Sequence, residues 1–259
     1  MRIEAPNWSP DGRWLVFNGD GRLFRVPSDG RGEPQPIDTG AIYDVSNDHL
    51  FSPDGRQLYF TAGGQIHRVP FSGGTPQTLS TADGDDPLQL YLHGISPDGQ
   101  WLSATALHTR SARLAIHALP TSGGQSHCIL EPGVAIDGPE YAPDGEWLYF
   151  NSELQGRWPG DSQLFRARRD GSGIEQLTRD ERVNWFPHLA PDNGRLAYLS
   201  YAPRTEGHPA NRDVLLRCLT FADGAVHDII ALCGGQGTLN GNSWAPDSRH
   251  LAYVAYPPA

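Results

Sequence analysis

The chain has 259 residues, a formal net charge of −10 at pH 7, and many turn-forming residues, with 30 Gly and 22 Pro. This composition is typical of a globular all-β chain rather than a helical bundle or a disordered tail. The acidic balance argues against binding nucleic acid or an anionic membrane through bulk charge. The sequence contains no Lys, which excludes a Walker-A lysine, a Schiff-base lysine and a lysine general base.

Compartment is predicted from cysteine usage and from the start of the sequence. The three cysteines, Cys128, Cys218 and Cys233, form no CxxC pair and predict neither a zinc knuckle nor a disulfide framework. No run of about 18 apolar residues occurs, and the first residues, MRIEAPNWSPDG, lack the apolar core of a signal peptide. We therefore expect no membrane insertion and a cytoplasmic location, or a periplasmic one if the true N-terminus is missing.

A four-residue turn motif recurs six times along the chain. The first four copies have Ser or Ala followed by Pro-Asp-Gly, and the last two are degenerate. Pro presets φ, Asp can bond nearby backbone, and Gly accepts the left-handed conformation that closes the turn. The aspartates of the six copies are Asp11, Asp54, Asp98, Asp144, Asp192 and Asp247. Six copies at this period predict six units of one kind in a single domain spanning residues 1–259.

Each unit is predicted to contain four antiparallel strands. One large apolar residue precedes the turn, and an alternating run such as WLVFN from Trp14 follows it. A third strand, such as RLFRVP from Arg22, ends in a glycine-bearing turn and leads to a weaker fourth strand. Four such strands in about 45 residues are typical of a propeller blade. The sequence therefore predicts an all-β, six-bladed β-propeller.

The sixth blade is predicted to be incomplete in this chain. It supplies two strands, GNSWA and HLAYVAY, and only Met1 to Ala5 precede the first inner strand. We expect an exposed sheet edge at Leu251, Tyr253 and Tyr256. One hypothesis is that about 25–35 residues, the length of two strands with their turns, are missing before Met1. The alternative is that the ring stays slightly open or closes through another chain.

The repeat resembles a known bacterial family. The Ser/Ala-Pro-Asp-Gly turn, the W/Q/R-L-x-F/Y strand after it and the L-F/Y-R-V/A strand look like the WD40-like PD40 repeat, and nearly the whole chain resembles the TolB-like six-bladed propellers. That resemblance implies a non-catalytic platform for a protein segment or a small polar ligand. The similar oligogalacturonate lyases imply the alternative, a metal-dependent polysaccharide lyase or hydrolase with a His-lined channel. The absence of a lysine base favours the non-catalytic interpretation.

Polar side chains occur where each predicted inner strand begins, at positions that a purely structural strand would fill with apolar residues. They are Asn7, His49, His93, Glu140, His188 and Asn242. Together they predict a ligand-binding cup at one mouth of the channel, or a solvated channel wall. Three of them, His49, His93 and His188, are candidate ligands of a divalent metal ion. No other cofactor is expected.

Two long insertions are predicted on the same rim, at residues 151–162 and 201–212. Insertions of this kind commonly build the binding face of a propeller. Trp158 and Tyr201 are candidate exposed aromatic anchors for a partner. Arg157 and Arg204 are candidate carboxylate binders. The alternative is a packed loop without a partner.

Overall fold

The computed structural model describes residues 1–81 and 85–257, which form five four-stranded antiparallel sheets. No helix in these two ranges is long and apolar enough to cross a membrane. In chain order the strands are β1 Ile3–Trp8, β2 Trp14–Gly19, β3 Arg22–Pro27, β4 Gln35–Pro36, β5 Val45–Phe51, β6 Gln57–Ala62, β7 Gln65–Pro70, β8 Gln77–Thr78, β9 Leu88–Ile95, β10 Trp101–His108, β11 Leu114–Pro120, β12 His127–Leu130, β13 Ile136–Tyr141, β14 Trp147–Ser152, β15 Gln163–Arg168, β16 Glu175–Gln176, β17 Val183–Leu189, β18 Arg195–Tyr201, β19 Arg212–Thr220 and β20 Val226–Gly234.

Each sheet is one propeller blade whose strands are joined by consecutive hairpins. Blade 1 comprises β1–β4, blade 2 β5–β8, blade 3 β9–β12, blade 4 β13–β16 and blade 5 β17–β20. The first strands of successive blades contact one another, which places them around the central axis. The predicted all-β propeller with four-stranded antiparallel blades is confirmed.

The repeated turn has the predicted local chemistry. In the first copy, Ser9 Oγ donates to Asp11 Oδ1 at 2.6 Å and accepts from the amide of Trp14 at 2.9 Å. The hydrogen bond from Ser9, with those from Arg13, lowers the pKa of Asp11 to about 2. The fourth residue of all six copies has a positive φ, including Asn193 and Ser248 in the degenerate ones. The turn geometry therefore survives the loss of Gly at two positions.

The apolar core lies between neighbouring blades. One cluster joins Val16 and Leu23 of blade 1 to Leu58, Phe60 and Val69 of blade 2, all of them buried. Equivalent clusters lie between the later pairs of blades. Full burial of each large apolar side chain contributes about 1.5–3 kcal/mol, so the stability of the ring is spread over these interfaces.

Six complete blades are not formed in the described residues, and the sixth copy of the turn lies in a different structure. We call residues 235–257 the closing segment. Its only ladder contact is an isolated antiparallel bridge between Trp244 and Leu251 within the part of the chain that the structure describes. Backbone bonds also run from the Ala252 amide to the Ser243 carbonyl at 2.9 Å and from the Val254 amide to the Thr238 carbonyl at 3.2 Å. The two strands predicted for a sixth blade are therefore paired loosely, without a continuous ladder.

The closing segment occupies the sector between blades 5 and 1. Trp244 Nε1 donates to the carbonyl of His188 in blade 5 at 3.0 Å, and Ser243 Oγ donates to the carbonyl of Pro6 in blade 1. The predicted exposed edge is wrong for Tyr256, which is buried and donates from its hydroxyl to the carbonyl of Gln236 at 2.9 Å. Two backbone bonds also join the segment to its neighbours, from the Ala5 amide of blade 1 to the Gly237 carbonyl at 2.7 Å and from the Tyr256 amide to the Cys233 carbonyl of blade 5 at 2.8 Å. The ring is thus closed by side-chain contacts and single backbone bonds rather than by a continuous strand ladder.

Candidate functional site

A bulge interrupts every inner strand of the five blades shortly before its turn. In blades 1, 4 and 5 the bulged stretch contains Ala5, Gly138 or Phe186 at positive φ, each followed by Pro. In blade 3 the register shifts at His93, which has no partner of its own on β10. Because one extra residue reverses the direction of the following side chains, the bulges decide which polar groups face the axis.

An axial cavity of about 420 Å³ lies at the end of the ring where the inner strands begin. Side chains from blades 2 to 5 and from the closing segment line it. The residues that matter for its chemistry are Asp48, Tyr91, His93, Asp137, Trp185 and His208. A second cavity of about 360 Å³ opens at the opposite, turn-bearing rim, and His93 lines both. His93 therefore stands at the boundary between the two mouths of the channel.

His93, which is buried, and Asp137, whose side chain is 18% exposed, form an ion pair in the axial cavity. His93 Nε2 lies 3.1 Å from Asp137 Oδ1, which also accepts hydrogen bonds from Thr105 Oγ1 at 2.6 Å and from the Gly138 amide at 2.8 Å. Burial alone would raise the pKa of Asp137, but the charge of His93 and these hydrogen bonds hold it well below its usual value. Burial alone would lower the pKa of His93, but the charges of Asp137 and Asp48 raise it above its usual value.

Asp48 is a second carboxylate in the same cavity. It is 6% exposed, and its Oδ2 accepts a hydrogen bond from Ser46 Oγ at 2.8 Å. Burial raises the pKa of Asp48 above its usual value, although the charge of His93 and the bond from Ser46 act in the opposite direction. Asp48, His93 and Asp137 therefore form one electrostatically coupled group, contributed by three successive blades.

Glu140, His188 and Asn242 form a separate network that holds the ring together. Glu140 Oε2 lies 2.6 Å from His188 Nδ1, and Glu140 Oε1 accepts from Asn242 Nδ2 at 2.7 Å and from the Leu189 amide at 3.0 Å. Asn7, also buried, donates to the carbonyl of Asn242 at 3.3 Å. These four predicted site residues thus connect blades 1, 4 and 5 to the closing segment.

His49 lies apart from both groups. It pairs with Phe60 across the blade 2 ladder and is 1% exposed. Burial lowers its pKa to about 4, so the ring is neutral at pH 7. Neither ring nitrogen has a hydrogen-bond partner among the described residues.

The three candidate metal ligands are not brought together as one set. Within residues 1–81 and 85–257, no group of three His, Cys, Asp or Glu side chains could hold a metal ion. His49 is buried on β5, His188 is paired with Glu140, and His93 is paired with Asp137.

The predicted aromatic anchors have different environments. Tyr201 is fully buried at the end of β18, in the cluster between blade 5 and the closing segment, so its predicted exposure is wrong. The strand continues one residue further than expected and turns this side chain inward. Trp158 is half-buried between the guanidinium groups of Arg157 and Arg204, whose Cζ atoms lie 4.3 and 5.1 Å from its ring centroid. The Trp158 ring is therefore already in contact with two arginine side chains of its own chain.

The sequence patterns did not single out several residues of the axial cavity. Tyr91, Trp185 and Phe186 lie on inner strands, where they were indistinguishable from core residues. His208 lies in the insertion at 201–212, which was predicted to contribute to the binding face, but only contact across the ring brings it near Asp137, at 3.7 Å.

Comparison with known proteins identifies relatives over nearly the full chain. A curated protein from Agrobacterium fabrum, called uncharacterized protein Atu1656, is 37% identical over 261 aligned positions that cover 99% of this chain and 85% of the relative. A solved structure from Agrobacterium tumefaciens with a provisional TolB name is 35% identical, with a TM-score of 0.91 over 100% of this chain and 91% of that one. The chain belongs to the TolB-like β-propeller family. No protein-family model matches it.

More distant structures share the propeller fold of this TolB-like chain. TolB from Acinetobacter baumannii is 18% identical, with a TM-score of 0.64 over 93% of this chain and 54% of that one. An oligogalacturonate lyase in complex with manganese is 13% identical, with a TM-score of 0.60 over 87% of this chain and 64% of that one. At these identities the likeness concerns the fold alone.

Proposed function

We propose that this TolB-like propeller is a non-catalytic binding module whose axial cavity receives a small polar group. The group belongs either to a free ligand or to a side chain of a partner segment. The observation that carries the proposal is the cavity itself, which combines carboxylate and imidazole side chains with aromatic walls at one mouth of the ring. A volume of about 420 Å³ is in the range of small-molecule sites and too small for a folded element.

The arrangement supports binding better than catalysis. Asp137 accepts three hydrogen bonds and His93 is held in an ion pair, so neither has the geometry of a free general base. The lyase alternative required a cluster of metal-binding histidines, and the described residues contain no such cluster. The remaining chemistry of the site is recognition through charge, hydrogen bonds and aromatic contact.

A cavity-filling variant tests the proposal. Ala135 is half-buried and lines the axial cavity, so Ala135→Trp should occupy the space without removing a polar group. Ala225, in the turn between β19 and β20 at the opposite rim, offers Ala225→Trp as a matched control. Ligand-observed saturation-transfer NMR with a panel of small amines, amides, carboxylates and sugars gives the measurement.

At least one class of compound should bind the unaltered chain and the Ala225→Trp variant but not Ala135→Trp. If every compound that binds does so equally well to Ala135→Trp, the axial cavity is not the binding site and the proposal is wrong. If no class binds the unaltered chain, the proposal is also wrong. Circular dichroism confirms that both variants retain the β-sheet signal.

A further inference from the structure

We infer that the group received by the axial cavity is an organic cation, a primary amine or a guanidinium. This inference rests on the proposed function and adds the chemical class of the ligand. It follows from three features of the cavity: carboxylate oxygens without partners, an excess of acidic groups, and aromatic walls.

Two carboxylate oxygens in the cavity lack a hydrogen-bond donor. Asp48 is more than nine-tenths buried, and its Oδ1 has no hydrogen-bond partner among the described residues, whereas Oδ2 is held by Ser46. Asp137 uses Oδ1 for its bonds, and the nearest cationic atom to Oδ2 is His208 Nε2 at 3.7 Å, beyond hydrogen-bond distance. A carboxylate oxygen that has no fixed donor is best satisfied by a positively charged one.

The charges of the buried groups select the sign of the ligand. Two carboxylates, Asp48 and Asp137, act on the imidazole of His93, and the charge of Asp137 disfavours ionisation of Asp48. A second imidazole, that of His208, also lines the cavity, 3.7 Å from Asp137 Oδ2. With both carboxylates ionised and His93 protonated, Asp48, His93 and Asp137 together carry a net charge of about −1. A cation bound between them would remove the repulsion, whereas an anion would be repelled by both carboxylates.

The walls distinguish an organic cation from a metal ion. Tyr91, Trp185 and Phe186 line the cavity, and the face of an aromatic ring attracts ammonium and guanidinium groups. Aromatic walls also pack against an aliphatic stem, which a hydrated metal ion lacks. A metal ion would need several protein ligands at one point, and the described residues provide no such group.

Three compounds of matched shape test the sign of the charge. Benzylamine is cationic at neutral pH, benzyl alcohol is neutral and benzoate is anionic. Calorimetric titration of each compound into the full chain should give measurable affinity for benzylamine only. Asp48→Asn should weaken benzylamine binding by about tenfold, because it replaces a charged acceptor by a neutral one of the same shape. Asp223→Asn, in the β19–β20 turn, removes an equal charge at the other rim and should leave the affinity unchanged.

The outcomes separate this inference from the proposed function. If benzyl alcohol or benzoate binds as tightly as benzylamine and Ala135→Trp blocks that binding, the cavity is a binding site but not for a cation. If benzylamine binding is lost in Ala135→Trp but unchanged in Asp48→Asn, the inference is also overturned. Failure of all three compounds overturns the cation inference, while the wider panel described above decides the proposed function.

A second measurement applies if Asp48→Asn does not fold. Methylammonium chloride should displace benzylamine from the unaltered chain more effectively than sodium chloride at the same ionic strength, and equal displacement by the two salts would contradict the inference. Two peptides that carry either Lys or norleucine at one position, and are otherwise identical, show whether the cation belongs to a partner segment or to a free amine. Selective binding of the Lys peptide assigns it to a partner segment, and binding of benzylamine without the Lys peptide assigns it to a free amine.

Discussion

Replacing Glu140 by Ala should destabilise the ring, because its carboxylate is the common acceptor for three buried donors. They belong to His188 at 2.6 Å, Asn242 at 2.7 Å and the Leu189 amide at 3.0 Å. Each donor left without an acceptor costs about 1–3 kcal/mol, so the three together cost about 3 kcal/mol or more. We therefore expect a loss of about 3–5 kcal/mol in the free energy of unfolding, a large part of the total of about 5–15 kcal/mol typical of a domain.

Urea unfolding followed by circular dichroism measures this loss. Glu146→Ala is the matched control, since the Glu146 side chain is 68% exposed and its contact with Arg168 spans 3.3 Å at the surface. The control should change the free energy of unfolding by less than about 1 kcal/mol. If Glu140→Ala is as stable as Glu146→Ala, the network does not hold the closing segment in place and the argument is refuted.

Three further predictions concern single positions. The pKa of His49 is about 4 in the folded state and 6.5 in its ordinary state, so the unfolded chain binds a proton more readily than the folded one. The free energy of unfolding should therefore rise by about 3 kcal/mol from pH 4 to pH 6.5. Urea unfolding of His49→Gln over the same pH range should lack this contribution. Tyr201→Phe removes a buried hydroxyl without a partner among the described residues and should be neutral or stabilising, whereas Tyr256→Phe removes a bonded hydroxyl and should cost about 1 kcal/mol in the same assay. Gly21→Ala should lower the melting temperature more than Gly30→Ala, because both have φ of +72° but only at Gly21 would a Cβ lie 2.0 Å from a backbone oxygen.

The blades were predictable from the sequence because their determinants are local. Each turn is closed by bonds between residues no more than five positions apart, as in Ser9, Asp11 and Trp14, and the alternation of the following strand is visible in the letters. The blade count was not predictable in the same way. A turn motif at Asp247 indicates a hairpin, but a blade also needs outer strands, and the described residues form none in that sector.

The site was only partly predictable because the bulges break the relation between sequence position and side-chain direction. His93 and His49 both lie three residues before the repeat serine, yet His93 lines the axial cavity and His49 is buried outside it. The partners of these groups also come from other blades. Asp137 follows His93 by 44 positions in the chain and lies beside it only because successive inner strands pack around one axis.

The loose pairing of the closing segment has a consequence for motion. An isolated bridge and a few flanking backbone bonds replace the continuous ladders of the blades, so its amides should exchange with solvent sooner than those of the blade strands. Gln236 and Asn240 of this segment line the axial cavity. A molecule held there would touch both a fixed blade and the least firmly bonded sector, so its binding energy would also oppose opening of the ring. Occupancy of the cavity should therefore slow amide exchange in the closing segment, which contributes neither Asp48 nor Asp137.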